Sequence, residues 1–184
     1  EGAAEGMRII GGTRRGLKLA EVGDGDAAAH LRPTSDRVRE AIFNLLINAH
    51  GNPVSGARVL DLFAGTGALG LEALSRGAAE VTFVDDGAKA LALMRANIAK
   101  MRVEGETRVL RQDARRLPPN PASPYDLVFL DPPYGKAMGE AALVSAIAGG
   151  WLSPGAVVVW EESAAPQPPA GLVQKGACGT NHQI

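Results

Sequence analysis

The stretch DLFAGTGALG, residues 61–70, decides the fold. An apolar run, VLDLF, leads into it, and Gly65, Gly67 and Gly70 follow at G-x-G-x-x-G spacing. Glycines so placed let a strand turn tightly into a helix and let a ligand approach the backbone closely. The same spacing marks dinucleotide-binding turns, so the glycines alone do not choose a ligand. Asp61 does. A carboxylate four residues ahead of Gly65 repels a diphosphate seated on the following helix N-terminus and suits a ligand that carries an ammonium group.

Outward from the glycines the chain alternates between strand and helix patterns. The expected elements are a strand at 58–63, a helix at 67–76, strands at 81–84, 108–111, 126–130 and 156–161, and helices at 87–101 and 138–149. Short apolar strands such as DLVFL and AVVVW, separated by helices, predict a mostly parallel sheet covered on both faces. The fold class expected is therefore α/β, a Rossmann-like doubly wound domain over residues 34–184. Upstream, Thr34 or Ser35 caps a helix to about Ala49, with Val38, Ile42, Leu45 and Ala49 on one face. Met7 to Ala20 reads as two short strands about Gly11-Gly12, an N-terminal β-hairpin arm, and 21–33 reads as loop. SAAPQPPAG, 163–171, is a Pro-rich connection before a weak last segment.

Composition narrows the classes. With 184 residues, 46% of them hydrophobic, the chain supports one domain with a full core. A single cysteine, Cys178, gives no disulfide framework. There is no run of about 18 apolar residues and no basic-then-apolar leader, so the cytoplasm is the expected location; a monomer is also expected. The leading EGAAEG precedes a Met7 that reads as a natural start, and 1–6 are expected to be a remnant outside the fold. Formal net charge is −1, yet MRIIGGTRRGLKL, 7–19, carries Arg8, Arg14, Arg15 and Lys18 with no acid. Such a local patch fits a polyanion at one face. A second group, Arg102, Arg108, Arg111, Arg115 and Arg116, reads equally as solvated surface.

In a parallel sheet, ligands bind beyond the carboxyl ends of the strands, and here four such ends carry acids: Asp61, Asp85, Asp113 and Asp131. The ammonium that Asp61 suits is present in the methionine moiety of S-adenosylmethionine (AdoMet). Asp85, about twenty residues beyond the glycines, is placed to accept from ribose hydroxyls. Asp113 either accepts from an adenine amino group or caps the turn that follows it. VFLDPPYGK, 128–136, sets Asp131-Pro132-Pro133-Tyr134 directly after a buried strand. The prolines stiffen the loop and remove backbone donors. An Asp carboxylate and a fixed carbonyl then hold both hydrogens of an exocyclic amine, and Tyr134 offers a face for the base. Lys136 stands beside it for phosphate.

DLFAGTGALGLEALSRGA together with DPPY resembles the class I AdoMet-dependent amino-methyltransferases. MRIIGGTRRGLKL followed by LRPTSDRVREAIFNLL resembles the RsmD family of 16S rRNA guanine-N2 methyltransferases, over Met7 to about Glu161. The resemblance implies that Asp61, Phe63, Ala64, Gly65 and Gly67 line the AdoMet site, that Asp85 binds the ribose and Asp113 the adenine, and that Asp131 to Tyr134 hold the target guanine. It implies 16S rRNA, within an assembling or assembled small ribosomal subunit, as partner, with no metal. Phe63 stands where many class I methyltransferases have glycine. KGACGTNHQI, 175–184, lacks the Tyr-Gly-Asp-Thr and aliphatic strand of the family, so an irregular closing hairpin is expected.

The remaining features read as structural. His30, His50 and His182 lack metal-ligand spacing. Trp151 and Trp160 are expected as core anchors. Arg32, Arg37 and Arg39 either contact RNA or cofactor, or pair with Asp36 and Glu40. Two other functions share these motifs: a DNA adenine-N6 or cytosine-N4 amino-methyltransferase, for which the chain lacks room for a target-recognition domain, and a non-catalytic RNA-binding assembly module, which would not bind AdoMet.

Overall fold

Strand β1 (Arg58–Leu62) runs through the middle of the sheet with every residue after Arg58 buried, as its apolar sequence requires. In the computed structural model, residues 7–20, 34–133, 137–161, 169–172, 177–178 and 182–183 are described. The expected remnant at 1–6 and the expected loop at 21–33 lie outside them. Ahead of β1 lies helix α1 (Asp36–Ala49). After it come α2 (Ala68–Ser75), β2 (Glu80–Asp85), α3 (Ala88–Met101), β3 (Thr107–Arg111), β4 (Tyr125–Leu130), α4 (Met138–Ala148) and β5 (Leu152–Glu161). The two-residue strands β6 (Ala177–Cys178) and β7 (His182–Gln183) close the sheet. Strand order is β3-β2-β1-β4-β5-β7-β6. β1 to β5 are parallel, and β7 is antiparallel to both β5 and β6. The expected α/β Rossmann-like sheet is the observed one.

The order reverses between β1 and β4, so a crevice opens at the carboxyl ends of these two neighbours. Successive residues alternate between two cores. Val59, Val81, Phe83, Leu127 and Phe129 face α1, α2 and α3, while Leu60, Leu62, Val84, Val128 and Leu130 face α4. Trp151 and Trp160 are buried in the second core, as expected. Trp151 stacks on Tyr125 with centroids 5.9 Å apart and donates its indole N–H to the Pro118 carbonyl at 2.8 Å.

Four details differ from the sequence expectations. β5 starts at Leu152, not 156, because a bulge against β4 between Tyr125 and Leu127 absorbs the Pro154-Gly155 pair. α1, capped by Ser35, buries Arg39, Ile42, Phe43 and Leu46, and Ala49 is exposed. The stripe is displaced because Arg39 is buried by its partners: it is ion-paired with Asp36 and donates to the Arg8 carbonyl at 2.8 Å.

The N-terminal arm is not a regular hairpin. Arg8 and Lys18 form an isolated antiparallel bridge, and a 3-10 turn (Gly12–Arg14) lies between them. The amides of Ile10 and Gly11 donate instead to the buried carboxylate of Glu72 on α2, at 2.9 and 3.0 Å. Gly12 has φ +78°, and a Cβ there would fall 1.8 Å from the Ser75 carbonyl oxygen. The Gly-Gly pair therefore stands in the reversal between 7–9 and 17–19 and also lets that turn dock closely on α2.

The last difference is in Gly67. It N-caps α2 in the left-handed region, φ +82°, where a side chain would meet Met94 and Phe83, and it does not itself line the cavity described below, although its neighbours Thr66 and Ala68 do.

Candidate active site

Residues after β1, β2, β3 and β4 meet around one cavity of about 290 Å³. Asp61, Phe63, Ala64, Gly65, Asp85, Asp113, Asp131 and Pro133 all line it, so residues far apart in the sequence converge. Tyr134 and Lys136 lie outside the described residues. Thr34, Thr66, Leu69, Asp86, Gln112, Ala114, Arg115 and Met138 also line the cavity, beyond the residues that the motifs point to. Asp86 and Gln112 adjoin predicted acids and were within reach of the sequence. Thr34 and Met138 come from distant helix starts and carried no local signal.

Asp61 is the most buried acid of the cavity and accepts from the Gly70 amide at 3.1 Å. Burial pushes its carboxyl well above the ordinary range; the Gly70 amide pulls it back, and the charges of Asp131 and Asp85 push it further up. Asp85 accepts from the Gly65 amide through one oxygen and from Gly87 through the other, both at 2.9 Å. Burial again outweighs these bonds and raises its carboxyl. Asp113 takes the capping role: it accepts the Arg115 amide at 2.9 Å and the Arg115 guanidinium at 3.0 and 2.8 Å. That guanidinium holds the Asp113 carboxyl below its ordinary range.

The turn itself departs from ordinary backbone. Phe63 has φ +56° and Gly65 φ +59°. Phe63 thus adopts the left-handed conformation that glycine takes without strain, at the position where many class I methyltransferases carry glycine. Among the described residues, five aspartates, 61, 85, 86, 113 and 131, line the cavity against one guanidinium, which is committed to Asp113. This acidic lining complements positive charge and disfavours a diphosphate.

The basic residues of the arm divide. Arg8 lies 3.6 Å from Asp36, and Arg14 donates to the Met101 carbonyl at 3.3 Å. Arg15 and Lys18 are exposed. Arg115 of the second basic group belongs to the cavity, and Arg102 ends α3 in the left-handed region. Arg39 resolves toward pairing, with Asp36 and, at 4.0 Å, Glu72.

An antiparallel β7 beside five parallel strands, with an acidic cavity at the switch point, defines a Rossmann-like class I methyltransferase fold. Known proteins agree. The family model described as Conserved hypothetical protein 95 matches residues 7–177. The Ribosomal RNA small subunit methyltransferase D of Escherichia coli (strain K12) is 40% identical over 168 residues, 89% of this chain and 80% of that protein. The Putative rRNA methyltransferase YlbH of Bacillus subtilis (strain 168) is 39% identical over 140 residues, 74% of this chain and 72% of that protein. The solved structure of the putative methyltransferase yhhF from Escherichia coli superposes with TM-score 0.76 at 35% identity, covering 96% of this chain and 95% of that one. The chain belongs to the RsmD family of methyltransferases.

Proposed function

We propose that this protein transfers a methyl group from AdoMet to the exocyclic N2 amine of a guanine in small-subunit (16S) ribosomal RNA. The observation that carries the reading is the placement of buried Asp61 and of Asp131 and Pro133 at the ends of adjacent strands, around one acid-lined cavity. The names of the relatives, ribosomal RNA small subunit methyltransferase D among them, support RNA as the substrate.

AdoMet supplies an electrophilic methyl on a sulfonium. The residues fit it: the acid-lined cavity complements the positive charges of its methionine moiety, and Asp61 is the most buried of its acids. Asp85 orders that turn through Gly65 and has lone pairs left for ribose hydroxyls. Asp113 and Gln112 border the cavity beyond β3, where the adenine is assigned.

Guanine N2 is a weak nucleophile because its lone pair is delocalised into the ring. Asp131 accepts one N2 hydrogen, and the Pro132 carbonyl accepts the other. Held this way, the nitrogen becomes pyramidal and directs its lone pair toward the methyl donor. Alignment and fixed electrostatics then supply most of the rate. Tyr134 stacks on the base, while Arg8, Arg14, Arg15, Lys18 and Lys136 meet phosphates.

The test is methyl transfer from labelled AdoMet to small ribosomal subunits from a strain lacking this gene, followed by mapping of the product. Label on a single guanine N2 of 16S rRNA is expected. Label on adenine or cytosine, or tight binding of NAD in place of AdoMet, overturns the reading.

A further inference from the structure

Asn97 lies fully buried on α3 and uses its whole amide on two separate segments. Its oxygen accepts from the Ala20 amide at 2.6 Å, and its nitrogen donates to the Ala20 carbonyl at 3.1 Å and to the Thr66 carbonyl at 3.0 Å. Ala20 ends the arm that carries Arg8, Arg14, Arg15 and Lys18. Thr66 lies between Gly65 and Gly67 and lines the cavity. A second contact joins the same two segments: the Thr66 hydroxyl lies 3.9 Å from the Met7 sulfur.

We infer that Asn97 is a positioning residue that couples the arm to the glycine turn, so that RNA on the arm and AdoMet in the cavity bind cooperatively, an inference that rests on the function proposed above. A buried amide with both N–H donors and its oxygen bonded tolerates little displacement of either segment, since any shift leaves polar groups unpaired. A ligand that orders the Gly65-Thr66-Gly67 turn therefore also orders the main chain at Ala20. By linkage, a ligand that orders the arm favours the turn to the same degree.

The experiment measures the affinity of unmethylated small subunits, at one fixed salt concentration, with and without saturating S-adenosylhomocysteine, for the wild type and for Asn97→Ala. In the wild type S-adenosylhomocysteine is expected to tighten subunit binding by roughly 5- to 150-fold, the usual span of such coupling. In Asn97→Ala the ratio is expected to fall toward one. A purely structural Asn97 would lower the melting temperature and both affinities and keep the ratio, which overturns the inference. Hydrogen exchange on the unmutated protein stands independently of the variant's folding: S-adenosylhomocysteine is expected to slow exchange at the Ala20 amide. Protection confined to the glycine turn overturns the coupling. Two ligands that bind the wild type independently sink the inference alone; absence of S-adenosylhomocysteine binding sinks the functional reading and the inference with it.

Discussion

Asp85 accepts a hydrogen bond from the Gly65 amide at 2.9 Å, so the acid that ends β2 holds the glycine turn that follows β1. Its second oxygen holds Gly87, and two backbone donors therefore converge on one carboxylate. In Asp85→Asn one of them meets an NH2 group instead of an acceptor. An unmatched buried donor costs about 1–3 kcal/mol. The variant is expected to melt lower and to bind AdoMet at least tenfold more weakly, by calorimetry. Unchanged AdoMet affinity would remove Asp85 from the ligand site and leave it a purely local role.

Asp61→Asn is expected to separate stability from binding. Burial raises the Asp61 carboxyl in the folded protein, so the native state holds its proton more tightly than the unfolded chain. The stability this contributes is complete below the ordinary carboxylate range and is lost as pH rises through the higher folded value. The asparagine variant keeps an acceptor for the Gly70 amide and carries no buried charge. Above neutral pH it is expected to melt roughly 2–4 °C higher than the wild type, about 1 kcal/mol for a chain of this size, and to lose AdoMet binding. Wild-type affinity for AdoMet is expected to fall as acid protonates Asp61. A thermal scan against pH, paired with calorimetry, reads both; a variant that melts lower and still binds contradicts the assignment.

Gly12→Ala tests the docking of the arm. Left-handed backbone costs a side chain about 1–2 kcal/mol, and the clash with the Ser75 carbonyl adds about 1–3 kcal/mol of overpacking. Gly16→Ala is the control, since Gly16 has φ +87° with open space around it and meets only the backbone term. Chemical denaturation of the two variants is expected to rank Gly12→Ala clearly below Gly16→Ala. Equal loss would mean that the arm does not depend on α2.

Arg15 and Lys18 are the arm cations with exposed side chains and no described side-chain partner, whereas Arg14 is bonded to Met101, so they carry the phosphate-binding prediction most directly. Replacing both with Ala is expected to lower the slope of log affinity against log salt by about one for each phosphate that is no longer neutralised. AdoMet affinity in the absence of RNA is expected to stay unchanged. An unaltered salt slope would place the RNA on another face.

The legibility of this chain in its sequence follows from locality. The glycine turn and the strand ends that carry the acids are encoded within a few residues each, and the structure has them where the sequence puts them because strand, turn and helix starts are local events. Four features depended on partners distant in sequence. Glu72, which the sequence analysis did not single out, is buried with Ile10, Gly11 and Arg76 donating to it. Arg39 disguised the buried stripe of α1, and Thr34 and Met138 reached the cavity only through the tertiary fold. Asn97 carries no signal in the sequence, and its role shows only when Ala20 and Thr66 are placed beside it.

The role of Asp131 divides into hydrogen-bond acceptor and general base, and three proteins distinguish them. As an acceptor only, Asp131→Asn keeps substantial activity, because its amide oxygen still receives an N2 hydrogen. As a base that must remove a proton in the transition state, the asparagine fails, with a loss near the ~10²–10⁴-fold typical of general-base removal. We expect the acceptor role, since the nitrogen becomes strongly acidic once methylated and releases its proton to water without help. Removing the Asp131 charge also relieves Asp61, whose carboxyl it pushes upward, so AdoMet binding at neutral pH is expected to persist in both Asn and Ala variants. Asp131→Ala lacks any acceptor and is expected to abolish turnover with AdoMet still bound. Single-turnover methyl transfer at saturating substrate, for wild type, Asn and Ala, decides the question: an Asn variant as inactive as the Ala variant establishes the base.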